Sequence, residues 1–286
     1  MKKRYLSDFF YFGGLIKKFD KKVGDLGVQG TMEGLVKETK TKWQVEDKEG
    51  WTKEVLQKKP VIVVANHPSE SDIIFILAAL AARKDIYLII DSTFMGISKN
   101  IDKHLIPVYI QHRESRGKGN FRWNLIKKFH WSQNYGRDAA HQKNIKSIGR
   151  ATRRVENGAV VVIFPAGGST DGRWFSGIGH LVRSLKNKNE VSIVKAKIEG
   201  SSKWDYFRLI PGLGRLMPKI KVTFSTPRRV TDIANEDARA ITKRLETEYL
   251  EWSGVQEKPE KRQFVHSQPI YAFLRTAFLW FIGRVN

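Results

Sequence analysis

Short runs of apolar, mostly β-branched residues recur along the chain, and stretches with apolar positions at helical spacing fall between them. Val61 to Ala65, Ile86 to Ile90, Leu105 to Ile110, Ala159 to Phe164, Val191 to Ile198 and Ile220 to Ser225 predict strands. Helices are predicted over Ser71 to Ala82, Arg137 to Glu156 and Asn235 to Trp252. In the second of these, Ala140, Ile145, Ile148, Ala151 and Val155 make the apolar stripe, and Gly158 stands just past the end as a stop signal. In the third, Ile241, Leu245 and Tyr249 share one face. Strands and helices alternating in this way predict an α/β fold with a mixed, largely parallel sheet flanked by helices.

Both ends of the chain set aromatic residues beside cations. Tyr5, Leu6, Phe9, Phe12, Ile16 and Phe19 recur at helical spacing, with Lys17, Lys18, Lys21 and Lys22 alongside. That pattern suits a helix lying in the headgroup plane of a membrane. It equally fits a helix packed on its own core, and Gly13-Gly14 weakens a long helix here. At the other end, Ile270 to Ile282 is shorter than the ~18 residues of a spanning helix and carries Arg275 in its middle. Trp280 and Phe281 near Arg284 point to membrane contact instead. Lys2-Lys3-Arg4 resembles the basic region of a signal peptide, but Asp8 breaks the apolar region and no small-residue cleavage site follows, so secretion is not expected. The expected organisation is an amphipathic, membrane-contacting segment over 1–30, one α/β domain over 31–253, and a tether with an aromatic-rich end over 254–286. Gln111 to Arg137, strongly basic and holding Trp123 and Trp131, reads as an inserted arm.

Composition narrows the chemistry. The 286 residues hold 51 Lys plus Arg against 29 Asp plus Glu, a net charge of +22, with 41% apolar residues. That apolar content builds a core and excludes a disordered basic tail. With no Cys, the chain has no disulfide, Cys-zinc site, iron–sulfur cluster or thiol nucleophile. His104, His112, His130, His141, His180 and His266 lack acidic neighbours at ligand spacing, so no metal is expected. The charge excess calls for an anionic partner: nucleic acid, an anionic membrane surface or a phosphorylated substrate.

The most informative residues follow the first long strand: Asn66-His67-Pro68-Ser69-Glu70-Ser71-Asp72. A histidine at a strand exit with a carboxylate one helical turn further on can form a general base. Imidazole accepts a hydroxyl proton near neutrality, and the carboxylate fixes its tautomer and stabilises the imidazolium. Strand-end loops are also where α/β sheets bind ligands. The same spacing fits a capping box, because Ser69-x-x-Asp72 opens a helix with an acidic residue in its first turn. Spacing alone leaves both readings open.

Asn66-His67-x4-Asp72 after an apolar strand resembles the first motif of the glycerolipid acyltransferase family, which includes the lysophosphatidic acid acyltransferases. Ile106-Pro107-Val108-Tyr109-Ile110-Gln111-His112-Arg113 resembles the second motif, and Phe164-Pro165-Ala166-Gly167-Gly168-Ser169-Thr170 the third. Val191 to Ile198 stands where the fourth belongs. The resemblance covers about Pro60 to Ser225 and implies that His67 is the base and Asp72 its partner. It further implies that Asn66, Arg113, Gly167, Gly168, Ser169 and Arg173 meet the substrate. The third motif departs from Phe-Pro-Glu-Gly-Thr-Arg, with Ala166 for Glu, Gly168 for Thr and Ser169 for Arg; Lys195 replaces the Pro of the fourth. Arg173 is the displaced candidate for the missing cation, and the Gly167-Gly168 turn is the expected source of oxyanion amides.

The resemblance implies transfer of an acyl group from acyl-coenzyme A or acyl carrier protein to a hydroxyl of a lysophospholipid, glycerol phosphate or related lipid, in phospholipid biosynthesis. Both donors are substrates, and no cofactor or metal is implied. The protein would sit as a peripheral or monotopic protein on the cytoplasmic face of an anionic membrane. Two other classes stand behind this one. The eroded third motif allows a non-catalytic lipid-binding relative, and the basic, Trp-containing stretch allows a nucleic-acid-binding protein. The latter ranks last because no RNP-like or helix-turn-helix signature is present.

Overall fold

The computed structural model describes residues 13–47, 50, 52–67, 69, 71–96, 98–109, 135–167, 173–202, 204–209 and 213–254. Among the described residues, eight strands form a single sheet: β1 (Trp43–Asp47), β2 (Val61–Ala65), β3 (Ile86–Asp91), β4 (Leu105–Val108), β5 (Val160–Ile163), β6 (Ser192–Glu199), β7 (Ile220–Phe224) and β8 (Arg228–Arg229). Their order is β1-β7-β6-β2-β5-β3-β4, with β8 paired to β6. β6, β2, β5, β3 and β4 run parallel, and β7 and β8 lie antiparallel to β6. The mixed, largely parallel α/β sheet expected from the sequence is the sheet found.

Central strands are apolar on both faces because helices cover both. All five residues of β2 are buried, as are all four of β5. On one face, Val61, Val63, Ala65, Val194 and Ala196 pack under α1 (Gly13–Glu38) and α3 (Asp72–Ala79). On the other, Ile62, Val64, Val161 and Ile193 pack under α5 (Arg137–Glu156), α6 (Gly177–Arg183) and α7 (Ala238–Ser253). Two short helices, α2 (Thr52–Lys58) and α4 (Lys99–Lys103), complete the layers.

Residues 13–38 of the N-terminal part form α1, which packs on the sheet side of the domain. α1 bends at Gly27 (φ 77°, ψ 171°) and buries Val23, Val28, Met32 and Val36 against the core. Its Asp20 carboxylate accepts hydrogen bonds from the Ser98 hydroxyl (2.5 Å) and the Asn100 amide (2.8 Å), which ties it to the start of α4. Residue 30, the end expected for the N-terminal segment, therefore lies inside a helix that continues to Glu38. Tyr5, Leu6, Phe9 and Phe12, the arm over 111–134, and the aromatic segment Ile270 to Ile282 fall outside the described residues. Among the described residues no helix is long and apolar enough to cross a membrane.

Candidate active site

Because β6, β2 and β5 are adjacent and parallel, the loops after their C-terminal ends converge. The β2 loop brings His67, the β5 loop brings Phe164 to Gly167, and the β6 loop brings Ser201, Ser202 and Asp205. His67 Nδ1 lies 3.5 Å from Asp72 Oδ2. The carboxylate is fully buried and the imidazole is 16% exposed. Nδ1 is itself buried without a hydrogen-bond partner among the described residues. Nδ1 is the ring nitrogen that faces Asp72, and Nε2 is the other. At 3.5 Å the pair is in contact but looser than a hydrogen bond.

Phe164 holds the imidazole, and a turn holds Phe164. Phe164 stacks on it, with centroids 4.6 Å apart and planes 25° apart. Phe164 in turn starts a tight turn, Phe164-Pro165-Ala166-Gly167, closed by a hydrogen bond from the Gly167 amide to the Phe164 carbonyl at 2.9 Å. Proline at the second position and Gly167 at φ 59° suit that turn. The amide of Gly167 is thereby engaged inside the turn; of the Gly167-Gly168 amides expected to meet an oxyanion, that of Gly168 lies outside the described residues. Phe175 donates its amide to Pro165 O (2.9 Å) and so brings the chain back beside the turn.

Burial pushes the Asp72 carboxyl above the usual carboxylate range, because charge is costly in a site with no water contact. His67, the Ser201 hydroxyl and the Ser69 amide oppose that rise. Only the last makes a well-formed hydrogen bond, from Ser69 N–H to Asp72 Oδ2 at 2.6 Å. Ser201 Oγ and Asp72 Oδ1 are buried without a hydrogen bond of good geometry. The capping-box alternative is thus half realised: the carboxylate reaches back to the Ser69 amide, while the Ser69 hydroxyl donates to Ser202 O at 2.9 Å. Asp72 serves the helix start and the histidine together.

The β6 loop repeats the device. Ser202-x-x-Asp205 places the Asp205 carboxylate on the Ser202 amide at 3.0 Å. Ser71 donates to Asp205 Oδ2 (2.6 Å) and Arg208 Nε to Asp205 Oδ1 (2.8 Å), with Arg208 Nη2 on Pro218 O (2.8 Å). This buried network fixes the start of α3, and hence Asp72, to the loop after β6. Sequence reading missed it; the repeated Ser-x-x-Asp spacing was the available signal.

Other expected site residues fall as follows. Asn66 binds the backbone of Ile198 on both sides, donating from Nδ2 to Ile198 O (2.8 Å) and accepting from Ile198 N–H at Oδ1 (2.7 Å). It acts as a clasp between β2 and β6 that sets the angle at which His67 leaves the strand. Asn66→Ala is expected to lower stability by about 1–3 kcal/mol, since two backbone groups lose partners. Denaturant unfolding checks this; a Michaelis-constant defect with unchanged stability would restore a substrate-binding role. Gly167 lies in the turn, and Arg173 is exposed just before Trp174, whose amide donates to Glu246 Oε1 at 2.9 Å. Arg113, Gly168 and Ser169 lie outside the described residues. Lys195 turns toward α7, donating to Glu248 O at 3.2 Å, and burial holds its ammonium below the usual lysine range. Among the described residues no group of three His, Asp or Glu stands close enough to hold a metal ion.

The Acyltransferase family model matches residues 44–198, which hold Asn66, His67 and Asp72 after β2 and the Phe164 to Gly167 turn after β5, and end before the Ser202–Asp205 loop. Among solved structures, the chain is similar to the 1-acyl-sn-glycerophosphate (LPA) acyltransferase PlsC from Thermotoga maritima, at 18% identity and a TM-score of 0.44, covering 88% of this chain and 97% of that one. No curated protein matches it in sequence.

Proposed function

Because the chain belongs to the acyltransferase family, we propose that it is a membrane-surface O-acyltransferase that moves a fatty acyl group from a thioester, on coenzyme A or acyl carrier protein, to a hydroxyl of a lysophospholipid, glycerol phosphate or related lipid. The observation that carries this reading is the contact of His67 Nδ1 with the buried Asp72 carboxylate at 3.5 Å, at the open end of three parallel strands.

The acceptor hydroxyl meets His67 Nε2 and gives up its proton as its oxygen bonds to the thioester carbonyl carbon. Asp72 holds Nδ1–H and balances the charge of the imidazolium. Collapse of the tetrahedral centre breaks the carbon–sulfur bond, and the departing thiolate takes the proton. Nothing in this sequence of bonds draws on a metal, a cofactor or an enzyme-bound acyl group. Phe164 keeps the ring in its plane, and the Ser69–Asp72 hydrogen bond keeps the carboxylate at its side. The net charge of +22 suits anionic donors and an anionic cytoplasmic membrane face.

The test supplies labelled acyl-coenzyme A or acyl carrier protein together with a lipid extract and follows label into new lipids. A labelled lipid formed by the purified protein supports the proposal, and its mass names the acceptor. No product from either donor across the extract rejects it in favour of a lipid-binding relative.

A further inference from the structure

The loop after β6 does more than brace Asp72. It carries two single-turn helices, Asp205–Leu209 and Leu213–Leu216, packed against each other. Trp204 (44% exposed), Phe207 (44%) and Leu216 (76%) are exposed along this stretch, the first two stacked with centroids 6.1 Å apart. Leu216 is the most exposed large apolar side chain among the described residues. Arg215 and Lys219 are exposed beside it.

A flexible loop could fold such side chains inward, but this one is held from beneath. Arg208 is buried and tied to both Asp205 and Pro218 O. Gly214 sits so closely on the turn after α1 that a Cβ there would come within 2.2 Å of Thr39 O and 2.9 Å of Thr41 Oγ1. The backbone is therefore anchored at both ends of the display, and the apolar side chains are fixed facing outward. Large exposed apolar groups on a rigid support mark a contact surface.

We propose that Trp204, Phe207 and Leu216 are the face by which the protein seats on a bilayer containing anionic lipid, a reading that rests on the lipid acyl transfer proposed above. Three observations select a bilayer over a protein partner. An indole and a phenyl ring beside an aliphatic tip match the graded polarity of the headgroup boundary. Arg215 and Lys219 flank them on a chain of net charge +22, which complements anionic headgroups. The patch also shares its loop with the active site: Ser202 O accepts from Ser69, two residues from His67, and Asp205 accepts from Ser71, one residue from Asp72. A lipid acceptor leaving a membrane under this face enters beside His67. The surface identified is thus in the middle of the chain, distinct from the terminal segments that the sequence pointed to.

The experiment measures partition of the full chain onto phosphatidylglycerol-containing vesicles and onto pure phosphatidylcholine vesicles, by co-sedimentation, for wild type, Leu216→Glu and Phe207→Ser. The expected result is preference for the anionic vesicles and a fall of about tenfold or more for each variant, the loss expected when one large apolar side chain no longer enters the membrane. Leu216→Glu should keep the wild-type melting temperature, because that side chain is mostly exposed and packs little. Wild-type partition in both variants overturns the proposal, as does loss confined to a chain cut before Gln268. A change in oligomeric state with unchanged vesicle binding makes the patch a protein contact and overturns it too. Vesicle binding is read without catalysis, so a chain that binds through this face yet transfers no acyl group rejects the proposed function alone.

Discussion

His67→Ala is expected to slow acyl transfer by about 10²–10⁴-fold, the usual worth of a general base, with the protein still folded. The proposed role rests on how the imidazole is placed. Asn66 clasps Ile198 just before it, Phe164 stacks on its face, and the buried carboxylate of Asp72 stands at Nδ1. Alanine removes the proton acceptor and leaves Asn66, Phe164 and Asp72 themselves unchanged. The lost stacking costs only about 0.5–1.5 kcal/mol, so a small fall in melting temperature is expected alongside the rate defect. Initial rates with labelled donor, compared with the folded fraction from circular dichroism, separate the two. A rate equal to wild type would falsify the base assignment. A rate that falls only in proportion to the folded fraction assigns His67 a packing role.

How much of this was legible in the sequence depended on how far apart the interacting residues are. β2 and β5 were visible because strands covered on both faces must be apolar at every position, and Val61 to Ala65 and Val160 to Ile163 are. β1 was not, because Trp43-Gln44-Val45-Glu46-Asp47 is an edge strand with mostly polar residues, paired to β7. α1 ran past its expected end because Val28, Met32 and Val36 continue the buried side beyond the Gly27 bend, where glycines obscure the period. His67 and Asp72 were legible as a pair because one strand, one turn and one helix start carry both. The role of Asn66 was not, since its partner Ile198 is 132 residues away. Likewise Ser71 and Asp205 of the Asp205–Arg208 brace are 134 residues apart in sequence. Local spacing shows chemistry that one loop can assemble, and long-range clasps need the fold.

Asp72→Asn separates the two duties of that carboxylate, because it is expected to lower the rate by about 10²–10⁴-fold without lowering stability at neutral pH. Burial raises the Asp72 carboxyl above its unfolded value, so the folded chain takes up its proton more readily than the unfolded chain does. The stability from that group is therefore present in full below the ordinary carboxylate range and is lost as pH rises through the raised value. Asparagine is neutral throughout. Its amide oxygen can occupy the position of Oδ2 and keep the Ser69 N–H, and its NH2 then faces the Ser201 hydroxyl, which has no well-formed bond in the wild type. The variant should thus melt at or above the wild-type temperature at neutral pH, with the difference shrinking as the medium is acidified past the carboxylate range. Catalysis suffers for a separate reason: the neutral amide offers no charge to the imidazolium that forms when His67 takes the acceptor proton. Melting curves across pH, run beside acyl-transfer rates, read both effects on one sample. A lower melting temperature at neutral pH with little change in rate would make Asp72 a helix cap alone, and the contact with His67 would then carry no catalytic weight.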